Sequence, residues 1–449
     1  MFRSFIILII AATAVLQAKI VTLEQAQDSA LEKNYGYAIA KENVAYSEFS
    51  VKSSFSGFLP TASLSASYML YTPEVEMSSY KFTPPSTMIP VTMTQEDRTA
   101  FGLRINQPVY TGGKIWNSYQ ISKDSEQMSR NSLNSEMMGL LSDVESYYLN
   151  VLEAKERLNI AKESLELSKK NEETARIKFD SGLISKADYL KNSSARANSE
   201  VGLVNAEKGY ELAKISFSNL TGLDNFELEG IDHSYYEPVI TKLSGALFSE
   251  ISDKINSLRE IAFENNSDLK NIDLTKEINE KKISMSAGNF MPSVSLSYST
   301  EWSKTNLTDD FSNSGTVSLS ASVPVLPLYD NYATLQKSKI DLKRSELTQM
   351  QLIDNISAQI KTYLYTLVSG SKQFTSSKVA VELANETYTN VEERANSGLS
   401  TEDELNTARL ALIQAKYDQT SAYYSILKTK SALMKVLGIN DEEEIINLF

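Results

Sequence analysis

Between Lys114 and Phe179 the chain has no proline, and its apolar residues fall on a single seam. Leu133, Met137, Leu140, Val144, Tyr147, Val151, Ala154, Leu158, Ala161 and Leu165 follow one another at steps of four and three; Ser168 and Glu172 interrupt the row before Ala175 and Phe179 resume it. A heptad-type seam of this length predicts one helix of about 100 Å at 1.5 Å per residue. The seam returns in the second half of the chain as Ile353, Ile356, Ile360, Tyr363, Leu367, Gly370, Phe374, Ser377, Val381, Ala384, Tyr388, Val391 and Ala395. Helices this long are uncommon in compact domains, so duplication is the first property the fold must accommodate.

The rest of the chain repeats in the same way. Val21 to Phe55 reads as a helix that stops at Gly57-Phe58-Leu59-Pro60, where proline cannot continue the hydrogen-bond ladder. The period then changes to two. Ala62, Leu64, Ala66, Tyr68 and Leu70 point one way, and Ser63, Ser65, Ser67 and Met69 the other. Thr72 to Asp97, with Pro73, Pro84, Pro85 and Pro90, reads as an exposed loop. A second strand sets Phe101, Leu103 and Ile105 against Gly102, Arg104 and Asn106, and ends at Gln107-Pro108-Val109-Tyr110. The long helix breaks at Ser181-Gly182-Leu183, and a further helix runs from Ser185 to Leu220.

After an irregular linker the plan restarts. Ala30-Leu31-Glu32-Lys33-Asn34 reappears as Ala262-Phe263-Glu264-Asn265-Asn266, and Phe58-Leu59-Pro60 reappears at the same spacing as Phe290-Met291-Pro292. Val294, Leu296 and Tyr298 alternate with Ser293, Ser295, Ser297 and Ser299; Val317, Leu319, Ala321 and Val323 alternate with Ser318, Ser320 and Ser322. Pro108 then maps to Pro324, and Ser181-Gly182-Leu183 maps to Ser397-Gly398-Leu399 at a shorter, again constant, spacing. The spacing shortens because the first strand–loop–strand excursion carries a longer tip than the second. The boundaries that follow are residues 19–223 for the first repeat, with strands 61–71 and 99–108; 224–243 for a linker; 244–439 for the second repeat, with strands 293–300 and 316–323; and 440–449 for a tail.

Residues 1–18 read as an export signal. Arg3 is basic, Phe5 to Leu16 is apolar, and Ala18 offers a cleavage point, with Ala14 as the fallback. The bland alternative is an N-terminal anchor. No other apolar run reaches about 18 residues, so strands must do any crossing of a membrane. A net charge of −13 argues against a nucleic-acid partner. With no cysteine there are no disulfides, no thiolate chemistry and no cysteine-based metal site. The single histidine, His233, reads as a surface or loop residue. No phosphate loop, metal cluster or nucleophile–base pair is present, so neither catalysis nor a cofactor is expected.

Each repeat therefore reads helix, strand, loop, strand, long helix, break, helix: a mainly α chain with β-strands. Strands of about nine to eleven residues suit a tilted crossing of an approximately 30 Å hydrocarbon layer. Apolar and serine-rich faces in alternation fit a transmembrane barrel, and fit equally a soluble sandwich with one solvated face; the export signal and the long helices favour the barrel. Four strands cannot close around a pore, so several chains must share the wall. Tyr68, Tyr71, Tyr298 and Trp302 near the loops, and Phe58, Tyr110, Trp116 and Phe290 near the helices, are candidates for its two aromatic girdles.

The duplicated plan, the Phe58-Leu59-Pro60 and Phe290-Met291-Pro292 triplets, Gln107-Pro108-Val109-Tyr110 and the paired Ser-Gly-Leu breaks together resemble the TolC-like outer-membrane channel family, from about Thr22 to Ile439. The resemblance implies a homotrimer with a twelve-stranded barrel in the outer membrane and a long coiled-coil α-barrel in the periplasm. It implies a periplasmic adaptor joining the channel to an inner-membrane pump or ABC exporter, in efflux or type I secretion. It places Ser181, Gly182, Leu183, Ser397, Gly398 and Leu399 at adaptor-docking tips; the strand alternation itself puts Ser63, Ser65, Ser67, Ser295, Ser297, Ser318 and Ser320 on the inward, lumen side of a barrel. The family's acidic ring follows an Asp-x-Leu-Asp spacing. Here Asp403-Glu404-Leu405-Asn406 keeps the first Asp and the Leu, while Asn406 departs from the second, which weakens a two-tier ring. In the first repeat Asp188-Tyr189-Leu190-Lys191 occupies the related place. Three copies of Asp403, with Glu402 or Glu404, would favour cations at the constriction; as residues alone they also fit solvated acids at a helix start. The competing class is an exported coiled-coil scaffold or surface-layer protein without a pore.

Overall fold

The computed structural model describes residues 19–69, 75–80, 88–93, 98–231, 233–247, 251–305 and 310–440. The expected signal segment, Leu70 and Tyr71, and the tail beyond Asn440 lie outside them. In chain order the elements are β1 (Lys19–Val21), α1 (Leu23–Lys33), α2 (Tyr35–Phe55), β2 (Thr61–Tyr68), β3 (Val75–Tyr80), β4 (Met88–Met93), β5 (Arg98–Thr111), α3 (Lys114–Asp180), α4 (Lys186–Thr221), β6 (Phe226–Leu228), α5 (His233–Gly245), α6 (Ile251–Asn265), α7 (Ser267–Ala287), β7 (Ser293–Thr305), β8 (Ser312–Ser322), α8 (Tyr329–Asn396) and α9 (Glu402–Leu437). The chain is mainly helical with strands. The long helices α3 and α8 have 67 and 68 residues. Among the described residues no helix is long and apolar enough to cross a membrane.

The chain forms two compact units, and neither coincides with a repeat. One comprises residues 1–42, 131–270 and 350–449; the other comprises 43–130 and 271–349. The core of the first unit is built on the seams. Leu140, Val144, Val151, Ile356, Ile360 and Leu367 are buried, and Tyr148, Leu149, Leu152, Leu364 and Val368 widen the rows on one side. Phe217 of α4 is fully buried, with its ring 6.0 Å from Tyr148 and 5.0 Å from Phe226. β1 and β6 pair in parallel, Val21 opposite Leu228, and the Tyr148 hydroxyl lies 3.2 Å from the Val21 carbonyl and 2.7 Å from that of Glu229.

Three expectations need correction. The helix from Val21 to Phe55 is two helices, parted at Asn34. The Asn34 backbone N–H donates to the Ala30 carbonyl at 2.8 Å, and its side-chain oxygen accepts from the Tyr37 N–H at 3.1 Å. One residue thus caps both helices. Asn266 does the same between α6 and α7: its backbone N–H donates to Ala262 at 2.9 Å, and its side-chain oxygen accepts from Asp268 and Leu269 at 2.9 and 3.2 Å. The linker 224–243 is not irregular. Phe226 and Leu228 alternate inward in β6, and Ile240 and Leu243 bury one face of α5 despite Pro238. His233, read as a surface or loop residue, is at the surface: it opens α5 exposed, with its ring stacked on Tyr423 at 4.2 Å. Within the expected loop 72–97, β3 and β4 pair antiparallel as a separate two-stranded ribbon.

The second unit carries a four-stranded antiparallel sheet in the order β2-β5-β7-β8. Its strands run past the apolar alternation that locates them in the sequence. β5 begins at Arg98, opposite Thr305, and continues through Pro108 to Thr111 by a bulge between Pro108 and Tyr110. The bulge accommodates the missing proline N–H and returns Tyr110 to the face of Ile105. Beyond it Gly112, at φ +65°, opens α3, and a Cβ there would meet the Gly288 carbonyl oxygen at 2.5 Å. The two backbones touch, which only glycine permits. We predict that Gly288→Ala destabilises this unit by about 1–3 kcal/mol through overpacking, read as a lower thermal midpoint of the purified protein. An unchanged midpoint would show that the contact can relax.

Candidate functional site

The sheet has two chemically distinct faces. Ser63, Ser65 and Ser67 of β2 stand opposite Arg104, Gly102 and Ala100 of β5; Ser295, Ser297 and Ser299 of β7 stand opposite Ser320, Ser318 and Thr316 of β8. The Ser297 and Ser318 hydroxyls are 2.8 Å apart, the Ser65 hydroxyl donates to the Gly102 carbonyl at 3.3 Å, and Arg98 pairs with Glu301. This serine face lines a concavity of about 490 Å³ bounded by Ser63, Ser65, Arg104, Ser299, Glu301 and Thr316. The other face bears Leu64, Leu103, Ile105, Leu296, Tyr298, Val317 and Leu319. Leu64, Val317 and Leu319 are 78, 69 and 70% exposed, so none of the described residues covers them.

Among the girdle candidates, Tyr68, Tyr298 and Trp302 are exposed toward the loop end and Tyr110 and Trp116 toward the helix end. Phe58 instead packs in an aromatic cluster with Phe55, Trp116 and Tyr119, at 5.7, 6.4 and 5.9 Å.

The two Ser-Gly-Leu breaks, in the first unit, have one backbone design. Gly182 (φ +72°) donates to Phe179 at 2.9 Å and Leu183 to Lys178 at 2.8 Å; Gly398 (φ +73°) donates to Ala395 at 3.2 Å and Leu399 to Arg394 at 2.8 Å. Both are Schellman turns. Ser181 and Ser397 return their hydroxyls to Ile177 and Glu393. Leu183 and Leu399 are 76 and 71% exposed, so each turn presents a bare leucine.

The next helices begin with strong caps. Ser185 accepts from the Asp188 N–H, and Thr401 forms a reciprocal box with Glu404. The Ser400 hydroxyl, then the Thr401 N–H, hold the Glu404 carboxyl below its usual range. That capping contribution is complete at neutral pH and is lost as pH falls through the depressed value.

The acids of the second turn have separate surroundings. Asp403 is exposed, 3.4 Å from Lys191. Glu402 is buried, 2.9 Å from Lys178 and 3.1 Å from the Asn192 amide. Asn406 turns inward, donating to Asn192 and to the Glu402 carbonyl at 3.1 Å each. Lys178, Asn192 and Glu402 are thus the structural centre of this region, and no periodic signal marks them. The seam interruption at Ser168 is more telling. Ser168 and Ser199 are buried 2.8 Å apart, and Arg409, 3% exposed, donates to Ser164 at 3.1 Å and Ser199 at 3.3 Å. Burial lowers the Arg409 pKa, opposed by nearby Tyr388, whose hydroxyl burial pushes up to about 12. Among the described residues no group of three or more His, Asp or Glu is placed to hold a metal.

The outer membrane efflux protein family model matches residues 26–223 and 258–439. The fold is similar to that of CusC, from a study of folding and transmembrane channel formation (TM-score 0.78, 14% identity, 93% of this chain and 92% of that one). It is also similar to the Campylobacter jejuni CmeC outer membrane channel (0.74, 16%, 95% and 88%) and to the open state of the Neisseria gonorrhoeae MtrE outer membrane channel (0.73, 16%, 93% and 89%). A search of the curated proteins finds no match.

The contrast between Glu402 and Asp403 is testable. Glu402→Ala leaves the half-buried Lys178 with only the Ala395 carbonyl, at 2.7 Å, and is expected to cost about 1–3 kcal/mol of local stability, raising tryptic cleavage near Lys178 and Lys191 by about ten-fold or more. Asp403→Ala removes an exposed pair and is expected to cost about 0–1 kcal/mol. Equal cleavage rates in the two variants would refute the assignment of Lys178–Glu402 as the structural pair.

Proposed function

Because the chain belongs to the outer membrane efflux protein family, we propose that it is the outer-membrane duct of an export pathway and works as a homotrimer. Three copies of the sheet make one closed wall of twelve strands, its serine face toward water and its Leu64–Val317–Leu319 face toward lipid. The helices extend the duct into the periplasm. A periplasmic adaptor docks at Ser181-Gly182-Leu183 and Ser397-Gly398-Leu399 and joins it to an inner-membrane pump or ABC exporter. The chain performs no catalysis; substrate moves along the water-filled interior, driven by the attached transporter. At the periplasmic end Asp403 supplies an exposed acid beside Glu404, while the inward-turned Asn406 adds no second tier.

One observation carries this reading. The four-stranded sheet has two outer strands, β2 and β8, each paired on one side only, and an apolar face that none of the described residues covers. Unpaired backbone groups in hydrocarbon cost several kcal/mol each, so a lipid-facing sheet must close. Four strands cannot close around a lumen alone, and cyclic assembly supplies the missing wall.

Detergent-extracted protein is expected to have the native mass of three chains and to give discrete conductance steps in a planar lipid bilayer. A water-soluble, non-conducting product would overturn the duct and favour a poreless scaffold. In cells, Leu183→Cys and Leu399→Cys are expected to crosslink to a periplasmic adaptor identifiable by mass spectrometry. Adducts at neither turn, with adducts elsewhere on the helices, would move the docking site away from the turns.

A further inference from the structure

The four-stranded sheet carries very little charge, and most of it lies on the serine face. Its strands hold four charged residues, Arg98 and Arg104 on β5 and Glu301 and Lys304 on β7. Alternation puts Lys304 with Tyr298 and Trp302 on the apolar face, and puts Arg98, Arg104 and Glu301 on the serine face. Glu301 is the one carboxylate of that face among the described strands, and Arg98 takes it from the loop end. Arg104 makes no ion pair or hydrogen bond with any described residue. The face therefore keeps one uncompensated cation per chain, in a protein whose net charge is −13.

The register sets hydroxyls beside that cation. Ser63 stands opposite Arg104, Arg104 opposite Ser299, and Ser299 opposite Thr316, so a single row crosses all four strands. Neighbouring strands lie about 4.8 Å apart, which brings Ser63 and Ser299 within reach of an ion held by Arg104. In the rows to either side hydroxyls are already engaged: Ser65 donates to the Gly102 carbonyl, and Ser297 meets Ser318. Those of Ser63, Ser299 and Thr316 have no partner among the described residues. The next row toward the loops contains Gly102, where a Cβ would meet the Ser65 hydroxyl oxygen at 2.8 Å. The missing side chain opens the floor of the 490 Å³ concavity that Arg104 borders.

We propose that the row Ser63–Arg104–Ser299–Thr316 is an anion site, and that it takes multivalent oxyanions: solutes that carry phosphate or several carboxylates. The inference rests on the duct reading above. A threefold axis brings the three copies of the row to one height in the lumen, so that three guanidinium groups and nine hydroxyls face one axis. A guanidinium presents paired N–H donors that match two oxygens of a phosphate or carboxylate, and hydroxyls rotate to satisfy the oxygens left over. A singly charged ion draws on one row, whereas a multivalent one gains from all three. Glu301 sets the strength of the site, because it neutralises Arg98 and leaves Arg104 alone. Asp403, in the other unit, offers the opposite sign, so one duct presents its cargo with two unlike filters.

The test is block of the channel by an anion. The full-length protein is placed in a planar lipid bilayer in about 0.01 M potassium chloride, where the Debye length is about 30 Å, and inorganic triphosphate is added to both compartments. Triphosphate is expected to lower the single-channel conductance saturably. Arg104→Ser is expected to raise the half-blocking concentration by about ten-fold or more, the loss of one charge-assisted contact. Arg104→Lys keeps the charge without the fork and is expected to raise it less; Glu301→Gln frees Arg98 and is expected to lower it. Asp403→Ala is expected to leave it unchanged. Wild-type channels that are not blocked, equal block of wild type and Arg104→Ser, or block relieved by Asp403→Ala would each overturn the anion site and leave the duct standing. Protein that enters the bilayer and never conducts would remove the duct itself.

Discussion

A helix of 67 residues must be covered along its length, because most helical stability comes from packing of an apolar face rather than from intrinsic propensity. That requirement organises the chain. α3 finds this cover in helices of both repeats: in α4 through Phe217 and Ser199, in α7 through Ser267, and in α9 through Arg409 and Ser431. Where the rows are apolar the cover is a dense core, as at Val144, Tyr148, Phe217, Ile360 and Leu364. Where Ser168 breaks the row, the cover becomes a layer of hydroxyls, Ser164, Ser168 and Ser199, around the buried Arg409. Burying a cation among neutral hydroxyls is expensive, so this layer is held by its neighbours rather than holding them.

Much of this was legible in the sequence. The seam residues from Leu140 to Leu165 announce α3, and the serine alternation announces β7 and β8, because both patterns are imposed by burial with a fixed period. What stayed hidden depends on single residues or on partners distant in sequence. Asn34 divides α1 from α2 with no proline to betray it, and the nearby Gly36 lies already inside α2; the signal was the recurrence of Asn34 as Asn266 within the repeated segment. β5 extends to Arg98 because β7 is there to pair with it at Thr305, which no local alternation reveals. β6 is only Phe226–Leu228 and exists because Val21, at the far end of the first repeat, gives it a neighbour.

The acids after the second turn show the same limit more sharply. Glu402, Asp403 and Glu404 are consecutive and look alike in a sequence. In the fold one is buried against Lys178 and Asn192, one is exposed beside Lys191, and one is folded back onto its own helix start. Helical geometry turns each successive side chain by about 100°, so three adjacent carboxylates face three environments. Only the exposed ones can act on a passing ion.

The paired Schellman turns separate shape from surface character. At neither Gly182 nor Gly398 does a neighbouring side chain approach where a Cβ would be, so it is the left-handed backbone of the glycine, not steric crowding, that requires glycine at each bend. The same bend carries Lys178, Lys186 and Lys191 around one turn and Glu402, Asp403 and Glu404 around the other. Its outline is therefore a fixed socket whose exposed lettering, Lys186, Lys191 and Asp403, can be rewritten while the Lys178–Glu402 pair and the Glu404 cap keep the metalwork in place.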